Sequence, residues 1–443
     1  MDGKSTEREE NHYDKISSIQ LLNERLDLTL AFSKRYQMSS AVGYLRIFLP
    51  SELSHPKDND SEIILLNKIS ARLQGSLRDI DTVIKVNSTD FMIVIADITE
   101  HDCKVICERI IHSISAPYPI DFHNFSIGSS MGICMYPYGS EEPDELKTMA
   151  KMQMYDAQEL GENRFSFYIG NLNQTAYRKV IIENDLPYAL KKGELYVHYQ
   201  PQYFLKERAI NGAEALIRWS HPSLGEVSPG EFISYAEEAG MLNGLFFWVF
   251  EEVCQKMSSM KDRSLKYSIN LSVNQLLLDS LILDISNILK RYSIQAAQIT
   301  LEITENIEIY TVKKVNEKLH FLKEMGFTIA LDDFGNGYFS FSDFIKLPID
   351  FIKLDRDFVF SLLKNNKHKG VITPIIQMAH NLDLQVIIEG IEDHTQFAEW
   401  VKLDCDLIQG YFISEPISFE ELTEWIAEIE NRVALGFSVN ELQ

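Results

Sequence analysis

Residues 327–335 read FTIALDDFG, an apolar run of strand length that stops on two adjacent carboxylates, Asp332 and Asp333, ahead of a glycine. Branched and large apolar residues suit a buried pleated strand. Neighbouring acids after such a run repel one another unless cations or donors compensate them. Runs of the same kind lie on both sides: ELYVHYQPQ (194–202), NGAEALIRW (211–219), KYSINLS (266–272), QITLEITE (298–305), IDFIKLD (349–355), LQVIIEGIE (384–392) and LIQGYFIS (407–414). Helix-length segments separate most of them. Eight strand-like runs alternating with helices are the arithmetic of an α/β fold of the TIM-like (β/α)8 barrel type, and a doubly wound open sheet accounts less well for the count.

Nearly every run carries, near its end, a residue able to bind a metal or move a proton: Glu214, Asn270, Glu302, Asp332, Asp333, Lys353, Glu389 and Gln409. A lone acid in such a place is ordinarily a solvated loop residue. Recurrence along the series weighs against that reading. In a barrel the strand C-termini open on one face, so these groups would converge on one pocket. Oxygen donors without His or Cys describe a hard-cation site, which favours magnesium or manganese over zinc. The Asp332–Asp333 pair suits two cations, one carboxylate bridging them and the other completing the coordination of the second ion.

Composition bounds the partners. The chain of 443 residues has room for two or three domains. Its formal net charge is −23, and the halves before and after Thr175 are both net negative. A nucleic-acid polymer or an anionic membrane is therefore disfavoured as a partner, and a phosphate ligand would need a metal or a few placed cations. The five cysteines have no CxxC spacing, and no apolar run is long enough for a signal peptide or a membrane span, so a reducing cytoplasm is expected.

Ahead of the barrel, an α+β domain is expected. Residues 1–15 read as a disordered tail and residues 16–170 as the domain, with helices around 16–35, 63–77, 103–115 and 143–160. Strands are expected in AVGYLRIFL, TVIKVN, FMIVIA and FSIGSSMGICMYP. Residues 171–183 read as a linker and the start of a linker helix, 184–430 as the barrel, and 431–443 as a C-terminal tail.

The ordered series EALIRW, SINLS, LEITE, DDFGNGY, FIKLD, EGIE and QGYFISEP closely resembles the EAL phosphodiesterases that linearise cyclic di-GMP, over about Thr175 to Ile429. The resemblance implies a barrel in which two magnesium or manganese ions activate water against one phosphodiester to give pGpG. It implies that Glu214, Asn270, Glu302 and Asp332 hold the first ion, that Asp332 and Asp333 serve the second, and that Lys353 and Glu389 flank the attacking water. Gln200, Leu216, Arg218, Glu392, Gln409 and Tyr411 would contact the dinucleotide. Arg218 shares a strand side with Glu214 by the i, i+4 count, and its fork suits a phosphate. Glu305 would anchor the loop after DDFG, a role tied to a homodimer formed through the barrel.

The first half resembles the GGDEF diguanylate cyclases through LLNERL, FSIGSSMGICMYP and MQMYDAQELGENRFSFY. Its signature is replaced by Asn87, Ser88, Thr89, Asp90 and Phe91, which loses both glycines that would let the backbone approach a phosphate. Arg46 stands where that family keeps an aspartate, so no cyclase activity is expected. Arg78 and Asp81 keep the spacing of the family's inhibitory site, although a helix-end ion pair explains them as well. Two functions follow: a cyclic di-GMP phosphodiesterase with a regulatory or dimerising partner domain, or a non-catalytic receptor that signals through a partner protein.

Overall fold

The computed structural model describes residues 4–50, 59–120, 123–168, 174–260, 265–304, 312–335, 344–356 and 366–434. The chain divides into two compact units, Met1–Asn184 and Asp185–Gln443.

In the first unit, α1 (Lys4–Tyr36) leads into β1 (Ser40–Phe48), α2 (Asn59–Gly75), β2 (Thr82–Lys85) and β3 (Asp90–Ile95). Then come α3 (Glu100–Ser115), β4 (Tyr118–Ile120), β5 (His123–Phe125), β6 (Gly128–Tyr136), α4 (Pro143–Glu159) and β7 (Arg164–Phe167). Helix α1 begins inside the stretch expected as a tail, since EREENHYDK is composed largely of residues that tolerate a helix. The sheet order is β2-β3-β1-β6-β7, with only β7 parallel to its neighbour. Period-two alternation sends Ala41, Leu45 and Ile47 of β1 into one core with α2 and α3, and Val42 and Tyr44 into another with α1 and α4. Leu22, Leu26 and Leu30 form the buried stripe of α1. Helix α4 lies directly on β6 at Gly132, where a Cβ would come within 2.0 Å of the Ala150 carbonyl oxygen.

Helix α5 (Gln174–Lys192) begins in the first unit and ends in the second. Its Ala176 and Val180 are buried in the core shared with α1 and α4. The second unit then runs through β8 (Leu195–Phe204), β9 (Ala209–His221), β10 (Gly225–Val227), β11 (Lys266–Asn270), β12 (Ile299–Thr304) and β13 (Thr328–Asp332). It continues through β14 (Phe351–Leu354), β15 (Gln385–Ile388) and β16 (Leu407–Ile408). Strands β9 and β11 to β16 pair in parallel, and β8 closes the circle between β16 and β9.

The closing strand corrects one expectation. Strand β8 is antiparallel to both neighbours, so the strands do not all point the same way. Only Leu205–Arg208 separate β8 from β9, enough for a hairpin and far too few for the crossover that parallel pairing needs.

Inside the barrel, period two stacks an apolar layer beneath a polar one. Ala330, Phe351, Ile387 and Leu407 cluster with Phe204. Two residues further along stand Asp332 and Lys353 on their strands and Glu389 and Gln409 just past the ends of β15 and β16. The opposite ends of the strands are braced by carboxylates: Asp350 accepts from the Ile329 amide at 2.8 Å and from Lys323, and Asp406 accepts from the Val386 amide at 2.9 Å and pairs with His380 Nε2 at 2.8 Å.

Candidate active site

The barrel's polar layer centres on Lys353, whose side chain is 1% exposed. Its ammonium lies 2.5 Å from Glu302 Oε2, 2.6 Å from Glu389 Oε1, 3.4 Å from Asp332 Oδ2 and 3.5 Å from Glu214 Oε2. Four strands thus deliver four carboxylates to one cation. The register explains the convergence, since Asn270 lies beside Glu302, Thr304 beside Asp332, and Ser268 beside Glu214.

Donors surround Glu214. Asn270 Nδ2 donates to its Oε1 at 2.8 Å, and Gln409 Nε2 donates to its Oε2 at 2.6 Å. Gln409 Nε2 also reaches Gln200 Oε1 at 3.0 Å, and Gln202 Nε2 donates to Gln409 Oε1 at 3.0 Å. Gln200 is the cross-strand partner of Glu214. Gln202 escaped the sequence reading, although its position two residues beyond Gln200 puts it on the same face.

The charges are unequal, and the protonation states follow. Burial raises the Glu302 carboxyl well above the ordinary range, and the neighbouring Glu214 charge adds to this. Burial pushes Glu214 the same way, but Lys353 and the Gln409 and Asn270 donors carry it below its usual value. Glu389 rises to about 7, chiefly through burial, which outweighs the pull of Lys353. Burial alone would depress Lys353, but Asp332, Glu214, Glu302 and Glu389 raise it well above a free lysine.

A divalent cation fits this donor set. Four acids face one ammonium, and Glu302 Oε1 is buried without a hydrogen-bond partner, an arrangement that costs free energy unless a cation or donor satisfies it. Among the described residues no three acidic, His or Cys side chains already form a cation cage. The carboxylates instead converge on Lys353. Asp333 follows directly, its backbone in the left-handed region at φ 57° and its amide donating to Asp332 Oδ1 at 2.9 Å.

Two hollows flank this centre. One, of about 320 Å³, is lined by Gln200, Glu214, Leu216, Asp332, Lys353, Arg356, Glu389, Glu392, Gln409 and Tyr411. The other, of about 330 Å³, is more apolar and contains Arg218, Asn270 and Glu302 with Leu245, Phe246 and Ile269. Leu216 belongs to both walls. Arg218 lines the second hollow and not the one that holds Glu392 and Tyr411, and its Nη1 donates to the Ile217 carbonyl at 2.9 Å. Glu305 lies outside the described residues.

In the first unit, Arg46 is a counter-ion to the signature segment. Its Nε and Nη2 reach Asp90 Oδ1 and Oδ2 at 2.8 and 3.0 Å, and Tyr44 donates to Asp90 Oδ2 at 2.8 Å. Arg46 also lies 3.6 Å from Glu183 of α5, which pairs with Lys151 as well. Asn87 Oδ1 accepts from the Thr89 and Asp90 amides, Ser88 is exposed, and Phe91 is core. Arg78 and Asp81 pair with each other at 2.9 Å, with the Asp81 side chain fully buried.

A barrel with a buried carboxylate–lysine centre at its mouth, following an α+β domain, defines a class that the comparisons name. The EAL domain model matches residues 183–416 and the diguanylate cyclase GGDEF domain model residues 64–164, and the chain belongs to the EAL family with a GGDEF domain ahead. Similar relatives include the bifunctional diguanylate cyclase/cyclic di-GMP phosphodiesterase MucR of Pseudomonas aeruginosa, 28% identical over 93% of this chain and 61% of that protein. The cyclic di-GMP phosphodiesterase NbdA of the same organism is 29% identical over 95% of this chain and 54% of that protein. This chain thus spans less than two thirds of these relatives. Among solved structures, the PaMucR phosphodiesterase in complex with cyclic di-GMP is 31% identical with a TM-score of 0.53, covering 55% of this chain and 99% of that one. Among the described residues no helix is long and apolar enough to cross a membrane.

Proposed function

We propose that the barrel hydrolyses cyclic di-GMP to linear pGpG, and that the observation carrying this reading is the buried Lys353 ringed by Glu214, Glu302, Asp332 and Glu389 between two hollows. A dinucleotide with two bases joined by two phosphates suits a pair of hollows flanking a charged centre. Glu214, Asn270, Glu302, Asp332 and Asp333 would hold two magnesium or manganese ions. When bound, such ions supply charge relief on the phosphate and acidify water.

The residues of this chain do the rest. Glu389, with its carboxyl at about 7, accepts the proton of the attacking water near neutral pH. The water oxygen bonds to phosphorus while the bond to the ribose 3′-oxygen breaks, and that oxygen leaves with a proton from solvent. Lys353 stabilises negative charge growing on the phosphoryl group. Arg218 and Gln200 hold the dinucleotide. In this reading the barrel pairs with a second copy, and the first unit, with Arg46 against Asp90, is a regulatory or dimerising module without cyclase chemistry.

The test is product analysis after incubating the full chain with cyclic di-GMP and magnesium or manganese. We expect pGpG, a loss of at least about a hundredfold in Glu214→Ala, and inhibition by calcium, whose longer and looser coordination disturbs the spacing the reaction needs. Tight binding with no turnover under any divalent cation would identify a receptor that acts through a protein partner.

A further inference from the structure

Strand β8 carries a buried amide for which the reaction has no direct use. Alternation turns Gln200, Gln202 and Phe204 toward the barrel interior, Gln200 at the level of Glu214 and Phe204 in the apolar layer below. Gln202 stands between the two levels, 5% exposed, and lines neither hollow. Packing alone does not call for an amide there, because burying one costs free energy that an apolar residue of like size avoids. The reversal of β8 gives it a partner. Tyr203 pairs with Ile408 and Phe204 with Leu407, so one step further in the same antiparallel register sets Gln202 opposite Gln409. Its Nε2 donates to Gln409 Oε1 at 3.0 Å. Across the other edge of β8 lies Gly212, where a Cβ would come within 3.0 Å of Gln202 Oε1. The missing side chain leaves room for the amide.

We propose that Gln202 is a positioning residue for the cation site, fixing which end of the Gln409 amide faces Glu214, an assignment that rests on the divalent-cation reading above. An amide offers two N–H donors at one end and an acceptor at the other, whereas an ionised carboxylate only accepts. Gln409 therefore turns its NH2 to Glu214 Oε2, at 2.6 Å, and to Gln200 Oε1, at 3.0 Å, which leaves its own oxygen toward Gln202. A donor on that oxygen holds the amide this way round. With an apolar side chain at 202 the oxygen is buried unpaired, and half a turn of the amide would set it against the Glu214 carboxylate. Metal-binding carboxylates are held in direction by such outer hydrogen bonds. Gln202 thus acts on Glu214 through one intermediate.

Calorimetric titration of the full chain with manganese, in the absence of any dinucleotide, tests this on wild type, Gln202→Met, Gln409→Met and the double variant. Loss of an outer hydrogen bond to a metal ligand weakens metal binding about 10- to 100-fold, so Gln409→Met should fall in that range and Gln202→Met should lose at least about fivefold. In the Gln409→Met background, Gln202→Met should add less than about twofold, because its effect passes through the amide already removed. Gln202→Leu, with a different shape and likewise no amide, should match Gln202→Met, and thermal unfolding selects a titration temperature at which each chain is folded. Manganese affinity equal to wild type in either folded variant would reduce Gln202 to packing and overturn the proposal. Losses that multiply in the double variant would overturn it as well, since Gln202 would then act independently of Gln409. Both of those outcomes leave the phosphodiesterase reading intact. A wild type that binds no manganese would overturn the cation site and this assignment together.

Discussion

Glu389 shows how one side chain links catalysis to folding. Its carboxyl lies at about 7, against 4.5 for a free glutamate, because burial outweighs the attraction of Lys353. The native state therefore holds a proton that the unfolded chain has released. That preference stabilises the fold below about pH 4.5 and is lost as the pH rises through about 7, a swing on the order of 3 kcal/mol. Glu389→Gln is neutral at every pH. With divalent cations removed, the unfolding free energy of wild type relative to Glu389→Gln should fall between about pH 5 and pH 8, as denaturant titrations would show. A flat difference would mean that the carboxyl titrates normally. In the presence of magnesium the same variant should lose roughly 10²- to 10⁴-fold in kcat while cyclic di-GMP affinity changes less than about threefold. Parallel loss of affinity would demote Glu389 to a binding residue.

At the scale of elements, the barrel separates chemistry from stability along each strand. Asp406 braces β15, His380 and Lys206 at the end opposite Lys353, with its side chain 4% exposed. Asp406→Ala should lower stability by about 3 kcal/mol by stranding the buried Val386 amide and removing the partner of His380, while kcat/KM at permissive temperature stays within about twofold. A catalytic defect without a stability loss would contradict that division of labour. The eight barrel strands and the polar layer were legible because apolar runs ending in Glu214, Glu302, Asp332, Lys353 and Glu389 repeat one pattern. The reversal of β8 was also written in the sequence, in the four residues Leu205–Arg208, but strand counting does not weigh connection length. Strand β7 was not legible, since its four residues pair only at a sheet edge. Which carboxylates would crowd Lys353, and which would accept from amides, depended on a register that no single run contains.

For the whole molecule, the first unit is the open question that experiment can close. With Arg46 held by Asp90 and Glu183, incubation with GTP and magnesium should yield no cyclic di-GMP. Any product made from GTP alone would overturn the regulatory reading. Deleting residues 1–172 should leave a barrel whose rate or oligomeric state differs from the full chain, because Ala176 and Val180 of α5 lose the core that covers them. Identical rates and sedimentation would make the first unit a passenger. The Arg46 cluster also bears on how this domain can change over generations. An aspartate in place of Arg46 would stand beside the buried acids Asp90 and Glu183 and remove the partner that keeps the Asp90 carboxyl below its usual range. That single step costs stability before any metal site exists to repay it. The ion cluster therefore makes position 46 costly to change one residue at a time.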